Sequence, residues 1–375
     1  MSALDFNDRP RLVFWETTKA CPLACVHCRA FAQSTPLPGE LDTNEGMRLI
    51  DELAACARPR PILVLTGGDC LARADIVELA AYAHSVEVPV AIAPSVSPGM
   101  TPKLLDQLRA TGVTHASLSL DGAIPETHDN IRGIPGHLEA TLDAIQLLTR
   151  HGFQVQINTA VMARNVNELA DIAALLYWAG VRIWEVFFLI NVGRGDDVED
   201  ITPGDAEDVC HFLVEAAQYG MIVRTVEAPF FRRVHKQRER VADAEIAEVF
   251  KLGDLYERLS ERLTIQLGAP STRVLAPTVA TRDGKGIIFV AHNGDVSPSG
   301  FMPLLLGNVR QSPLMSIYRQ HPTLLSIRAS EFPGRCGQCE YSDLCGGSRA
   351  RAYAATGDPL ADDPACIVTA VPVPV

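Results

Sequence analysis

From residue 10 to about 220 the chain alternates between short apolar runs and longer segments whose apolar residues recur every three to four positions. This alternation predicts repeated βα units around a parallel sheet. Six strands are predicted: RLVFWET (11–17), ILVLTG (62–67), PVAIAP (89–94), HASLSLD (115–121), QVQINTAV (154–161) and RIWEVFFLI (182–190). They are apolar along most of their length, as strands covered on both faces are. Between them TNEGMRLIDELAACA, DIVELAAYAH, PKLLDQLRAT, HLEATLDAIQLLTRHG and NVNELADIAALLYWAG read as helices, several followed by a glycine that can cap the last turn. Six units are too few to close an eight-stranded barrel, so the α/β pattern predicts a curved, partly open one. From about 221 to 280 the regular alternation stops.

Composition narrows the class. A length of 375 residues allows two to three domains at about 150 residues each. The formal charge of -12 argues against a nucleic-acid partner, which needs a basic face. The opening MSALDFNDRPR lacks the apolar core of a secretory signal. No apolar run approaches the ~20 residues of a membrane helix, so no membrane partner is expected. Ten cysteines without an export signal favour metal or redox roles over disulfides and a reducing, cytoplasmic setting.

Three of them, Cys21, Cys25 and Cys28, follow the first predicted strand with the spacing C-x-x-x-C-x-x-C. Electron-transfer clusters are closed by four thiolates, whereas a reactive metal keeps one position for something other than protein. A trio with no fourth cysteine nearby suits a 4Fe-4S cluster with one open iron. The alternatives are a zinc site, which prefers paired C-x-x-C units and four ligands, or three buried thiols.

The segment CPLACVHC resembles the signature of the radical S-adenosylmethionine (SAM) superfamily. The resemblance implies a partial (β/α)6 barrel, SAM chelated by the open iron, and reductive cleavage to a 5'-deoxyadenosyl radical. It also implies an electron donor such as reduced flavodoxin or ferredoxin. His27, before the last cysteine, takes the place of an aromatic residue that lies against adenine. Parallel α/β sheets build their sites at the carboxyl ends of the strands, and there the chain carries further matches. Gly67, Gly68 and Asp69 resemble the GGE turn that holds the methionyl amine, with Asp replacing Glu and Cys70 where proline is common. Ser95, with Ser97, follows the third strand. Ser119 and Asp121 share a face of the fourth with Ser117, in a segment resembling the ribose-side motif. Arg132, in DNIRG, resembles an arginine that meets the methionyl carboxylate, a task suited to its planar fork. Asn158, polar inside an apolar strand, reads as another SAM contact.

A second cysteine set lies near the C-terminus: Cys336, Cys339 and Cys345, with Cys366 beyond a loop. Four thiolates make a closed set, and by spacing alone zinc and iron-sulfur are equal readings. CGQCEYSDLCGGSRARAYAATGDPLADDPAC resembles the SPASM extension of radical SAM maturases, which implies auxiliary 4Fe-4S clusters. The outer cluster's four cysteines are present. The inner one needs cysteines where Arg349 and Ser299 stand, so one auxiliary cluster is expected. Cys56 and Cys210 fall in helical patterns and read as packed thiols; Cys70 reads as packed or as a hydrogen-atom donor.

The domain reading is 1–234 for the barrel, 235–280 for a helical bridge and 281–375 for the SPASM-like section. In APFFRRVHKQRER, Arg232 and Arg233 with Lys236, Arg238 and Arg240 make a positive cluster. It reads either as a solvated helix face or as a segment over the barrel mouth that attracts an anionic substrate, with Arg232 and Arg233 as the contacts. The overall resemblance, nearest to heme-biosynthesis, pyrroloquinoline quinone and mycofactocin members, implies oxidative decarboxylation or dehydrogenation of a tetrapyrrole side chain or other small carboxylate metabolite. Modification of a peptide substrate is the alternative, and a non-catalytic iron-sulfur or zinc protein is the third.

Overall fold

The computed structural model describes residues 5–241, 245–270 and 280–368. Seven strands follow one another in parallel: β1 (Leu12–Glu16), β2 (Ile62–Thr66), β3 (Val90–Ile92), β4 (His115–Ser119), β5 (Gln154–Val161), β6 (Ile183–Phe188) and β7 (Ile222–Val226). The first six match the predicted runs to within a few residues. The seventh, IVRTV, lies where the alternation was read as ending. Its Arg224 faces the cavity described below beside Glu185 and Thr225 is polar on the other face, so the run lacks the apolar continuity of a strand covered on both faces.

Helices cross between the strands: α1 (Thr43–Ala54), α2 (Ile76–Ser85), α3 (Pro102–Ala110), α4 (Pro125–Arg132), α5 (His137–Arg150), α6 (Leu169–Trp178) and α7 (Pro203–Ala217). Their ends follow local chemistry. Asp42 with Glu45, and Thr202 with Asp205, close capping boxes at the starts of α1 and α7. The apolar faces of the helices bury the outer side of the sheet, with Trp15, Trp184 and Phe212 fully enclosed. After α8 (Phe230–Arg238) and α9 (Ile246–Phe250), α10 (Asp254–Leu267) packs on α6 and α7. These two helices form the described part of the expected bridge; residues 242–244 and 271–279 lie outside the described residues, as do 369–375 of the last section.

The C-terminal section does not stand apart from the barrel sheet. After β8 (Arg282–Asp283), β9 (Gly286–Val290) pairs in parallel with β1, Leu12 opposite Ile287. Then β10 (Asp295–Ser297) and β11 (Gly307–Asn308) extend the sheet antiparallel, giving the order β11-β10-β9-β1-β2-β3-β4-β5-β6-β7. The path is open, with β7 and β11 at its ends. Four helices complete the described chain: α11 (Leu314–Gln320), α12 (Pro322–Ala329), α13 (Arg335–Gln338) and α14 (Arg349–Thr356).

Candidate active site

The inner side of the curved sheet encloses a cavity of about 950 Å³, at the upper end of the range for small-ligand sites. Cys21, Cys25 and Cys28 line it at the carboxyl end of β1 and belong to one contact cluster with Leu23, Ala32 and Ile134. The loop that carries them is tied down from three sides. Gly68 and Asp69 donate their amides to the carbonyls of Thr18 and Ala20 at 2.8 and 2.6 Å. A Cβ on Gly68 would come within 2.4 Å of the Ala20 oxygen, so the two glycines let the turn after β2 close against the cysteine loop. The amide of Val26 donates to the Ile131 carbonyl at 2.9 Å. From the end of β6, Arg194 donates to the carbonyls of Cys25 and Ala32 and leaves Nη2 buried without a partner.

The residues present fit a three-thiolate iron-sulfur cluster. The sulfurs already receive donors: the Leu23 amide points at Cys21 Sγ (3.4 Å) and Arg132 Nη1 at Cys25 Sγ (3.6 Å), the kind of contact that stabilises cluster thiolates. Ser95 Oγ lies 3.5 Å from Cys21 Sγ. Among the described residues no three Cys, His, Asp or Glu side chains stand at the spacing of a single metal ion.

Most of the expected SAM contacts converge on the same cavity: His27, Gly67, Gly68, Ser95, Ser119, Asp121, Arg132 and Asn158 all line it. Ser119 and Asn158 sit opposite each other on β4 and β5, and Gln156 joins Asn158 to Glu185 with hydrogen bonds of 2.8 and 2.9 Å. Asp121 and Arg132 hold each other in a buried ion pair, a partnership the sequence does not announce. Burial pushes the Asp121 carboxyl up, but the Arg132 charge, with the Ala160 amide, outweighs it and keeps it below the usual range. His27 places Nε2 3.7 Å from Asp121 Oδ2 and leaves Nδ1 buried and unpartnered. Burial, with nearby Arg132, Arg194 and Arg164 outweighing the attraction of Asp121, lowers its pKa to about 4, so the ring is neutral at pH 7.

Two of the expected contacts fall outside the cavity wall. Asp69 does not face the cavity: its carboxylate accepts the amides of Leu71 and Ser95 and the hydroxyl of Ser97, at 3.1, 3.2 and 2.7 Å. It is a buried cap that joins the turns after β2 and β3, and burial outweighs those hydrogen bonds to raise its pKa. Arg233 also points away, into a two-pronged pair with Glu207 on α7, and Arg238 and Lys236 are likewise paired. Arg238 binds Glu215 and the His211 carbonyl, and Lys236 binds Glu239 at 2.6 Å. Two of the five, Arg233 and Arg238, form one half of an α7–α8 interface whose acids, Glu207 and Glu215, lie elsewhere in the sequence. Arg232 does line the cavity, donating to the carbonyls of Leu344 and Thr281. Cys70 is fully buried and is not part of the wall, as are Cys56 and Cys210, which suits packing.

The cavity continues to the C-terminal section, where sequence reasoning named only Ser299 and Arg349. Phe187 and Phe301 pack at 5.9 Å between ring centroids, and Arg29 lies 4.6 Å over Phe289 while pairing with Glu16. Glu227, Asp283 and Ser348 complete this end. Glu227 closely follows β7, so recognising that strand would have pointed to it.

The second cysteine set lies outside the wall. Cys366 lies within electrostatic range of Cys336 and Cys345. The amides of Tyr341 and Gly347 point at Cys339 and Cys345 sulfurs at 3.4 and 3.5 Å, a donor set that fits an iron-sulfur cluster. Arg349 is almost wholly buried, donates to the carbonyls of Pro359 and Ala361, and lies 4.4 Å over Phe332.

Residues 15–176 match the family profile of the Radical SAM superfamily. The chain is 39% identical over 363 residues to the AdoMet-dependent heme synthase of Methanosarcina barkeri, covering 96% of this chain and 97% of that protein. It is 31% identical to the mycofactocin maturase MftC of Mycobacterium ulcerans, over 96% of this chain and 88% of the relative. In fold it is similar to Streptococcus suis SuiB, crystallised with SAM, at a TM-score of 0.69 and 12% identity, covering 96% of this chain and 78% of that one. Among the described residues no helix is long and apolar enough to cross a membrane. With relatives matched along nearly its whole length, the chain belongs to the radical SAM superfamily and is an enzyme that uses a 4Fe-4S cluster and SAM.

Proposed function

We propose that this enzyme oxidatively decarboxylates or dehydrogenates a carboxylate-bearing side chain of a tetrapyrrole. The observation that carries the reading is the end-to-end likeness to a protein named AdoMet-dependent heme synthase. The cavity agrees with it: beyond the cysteine loop there is room for a second ligand, walled by Phe187, Phe289 and Phe301, with the cation of Arg29 beside the rings. Aromatic faces suit a flat macrocycle and a guanidinium suits its carboxylates.

In this reading Cys21, Cys25 and Cys28 hold the cluster, which with bound SAM supplies a carbon radical able to abstract hydrogen. His27 lies against adenine, Ser119, Asn158 and Asp121 face the ribose side, and Arg132 faces the methionyl carboxylate. The enclosed wall keeps water out and fixes the substrate carbon near the reacting atom. Cys336, Cys339, Cys345 and Cys366 would hold one auxiliary cluster, which would supply an electron acceptor for the oxidation. Reduced flavodoxin or ferredoxin is the donor. The division into barrel (1–234), bridge (235–280) and C-terminal section (281–375) follows the same reading.

The test is anaerobic incubation of the reconstituted enzyme with SAM, a low-potential reductant and an iron porphyrin bearing propionate side chains. Loss of carbon dioxide and two hydrogens from a side chain, seen by mass spectrometry, is the expected result. The likeness to a mycofactocin maturase favours a second reading, action on a peptide; no porphyrin product together with modification of a precursor peptide would select it. Iron content is expected near about eight per chain, two four-iron clusters; about twelve would contradict the single auxiliary cluster.

A further inference from the structure

Glu227 follows β7 directly, with a left-handed backbone (φ +60°), and lines the cavity. Its Oε2 accepts the Ser348 hydroxyl at 2.5 Å, while Oε1 is buried without a donor. Asp283, at the end of β8, has Ser299 and the Ala350 amide as polar neighbours that favour its charged form, and its Oδ2 is buried without a donor. Both residues are more than nine-tenths buried, at 7% and 6% exposed, and their side chains are in hydrogen-bonding range of each other. Two facing carboxylates repel when both are ionised. One proton between them turns the repulsion into a charge-assisted hydrogen bond and gives the orphaned oxygens their partners.

The cations packed around the pair are engaged elsewhere. Arg232 on α8 binds two carbonyls, and Arg282 on β8 binds the carbonyls of Ser342, Cys345 and Ile327. On α14, Arg349 binds Pro359 and Ala361, and Arg351 binds the carbonyls of Glu227 and Leu189. Among the described residues no guanidinium donates to either carboxylate. Burial, with Asp283 as its neighbour, raises the Glu227 pKa well above the ordinary range, and burial raises that of Asp283. Ser348 connects the pair to the second cysteine set: its amide donates to Asp363 Oδ2, and the Asp363 carbonyl accepts the Cys366 amide.

We propose that Glu227 and Asp283 form a proton-sharing carboxylate pair that takes the proton of a substrate carboxyl group in the cavity. In that step a substrate carboxyl group that enters the apolar cavity as its neutral acid is deprotonated: its O–H bond breaks, an O–H bond forms on the pair, and the electron pair stays on the substrate oxygen; no electron is transferred. The singly protonated pair becomes doubly protonated, and the substrate carboxylate is left free to lose carbon dioxide. The substrate half of this inference rests on the function proposed above; the shared proton does not.

Difference infrared spectroscopy of the holoenzyme tests the proton directly. At pH 7 a protonated-carboxyl C=O band, shifted in D2O, is expected in the wild type and absent from both Glu227→Gln and Asp283→Asn. A wild type without that band overturns the proposal. In turnover, product formed per 5'-deoxyadenosine released should fall by about 10²-fold in either variant, with loss of one limb of the pH profile. Ratios and profiles equal to wild type in variants with full iron content overturn the catalytic role. If the wild type forms no porphyrin product, the proposed function fails while the band still decides the pair.

Discussion

Cys21, Cys25 and Cys28 form part of the wall of the large cavity, whereas Cys336, Cys339, Cys345 and Cys366 lie outside it. Both sets have backbone amides aimed at sulfur, so the local chemistry of the two is alike. They differ in number and in what they face. Three thiolates beside a ligand-sized space leave an iron corner available to a small molecule; four thiolates behind Ser348 and Arg349 leave none. On the function proposed above, the same ligand type would serve a reaction centre in one place and an electron reservoir in the other, with exposure to the cavity as the difference.

The largest effect that could break this contrast is on SAM cleavage. Cys25→Ala should reduce 5'-deoxyadenosine release to background, while Cys339→Ala should retain release and lose substrate oxidation. Liquid chromatography of both products measures this, and equal loss of release in the two variants would erase the distinction. Next comes the pair that backs the trio. Asp121→Asn leaves the Arg132 charge buried without its partner and should cost about 3–5 kcal/mol in denaturant unfolding; a loss below about 1 kcal/mol would mean the pair is not holding the site.

A smaller change is expected at His27. If its neutral ring stacks on adenine, His27→Ala should raise the KM for SAM about tenfold and His27→Phe should leave it nearly unchanged, since one base–aromatic stack contributes roughly 1–3 kcal/mol. Equal KM values for the two variants would remove the stacking role. The smallest effect is on stability at the far end of the cavity. Glu227 has a raised folded pKa, so as pH climbs above its ordinary value of 4.5 the unfolded chain ionises while the folded one resists, and stability drains away. Glu227→Gln should therefore melt higher than wild type by a margin that widens from pH 5 toward 8. A constant margin would contradict the buried proton.

How much of this was legible in the sequence depended on distance along the chain. The trio, the turn at Gly67 and Gly68, and the first six strands carry their signals within a few residues, and the structure has them where the spacing put them. β7 was hidden because Arg224, which faces the cavity, and Thr225 break the apolar run. The pairing of β9 with β1 joins residues about 275 positions apart and leaves no local trace. Asp69 and Arg233 lie outside the cavity wall for the opposite reason: each has the right chemistry for a ligand contact, but nearby amides in one case and Glu207 in the other engage it. Arg194 and Glu227 follow their strands closely, where sites form, yet neither belongs to a spacing that stands out.

The most direct measurement of the central claim is electron paramagnetic resonance of the dithionite-reduced Cys336→Ala/Cys339→Ala variant, with and without SAM. A single 4Fe-4S signal whose g values shift when SAM is added is the predicted result, because only the trio's cluster would remain and its open iron would take the ligand. A signal that SAM leaves unchanged, or no cluster at all, would contradict it.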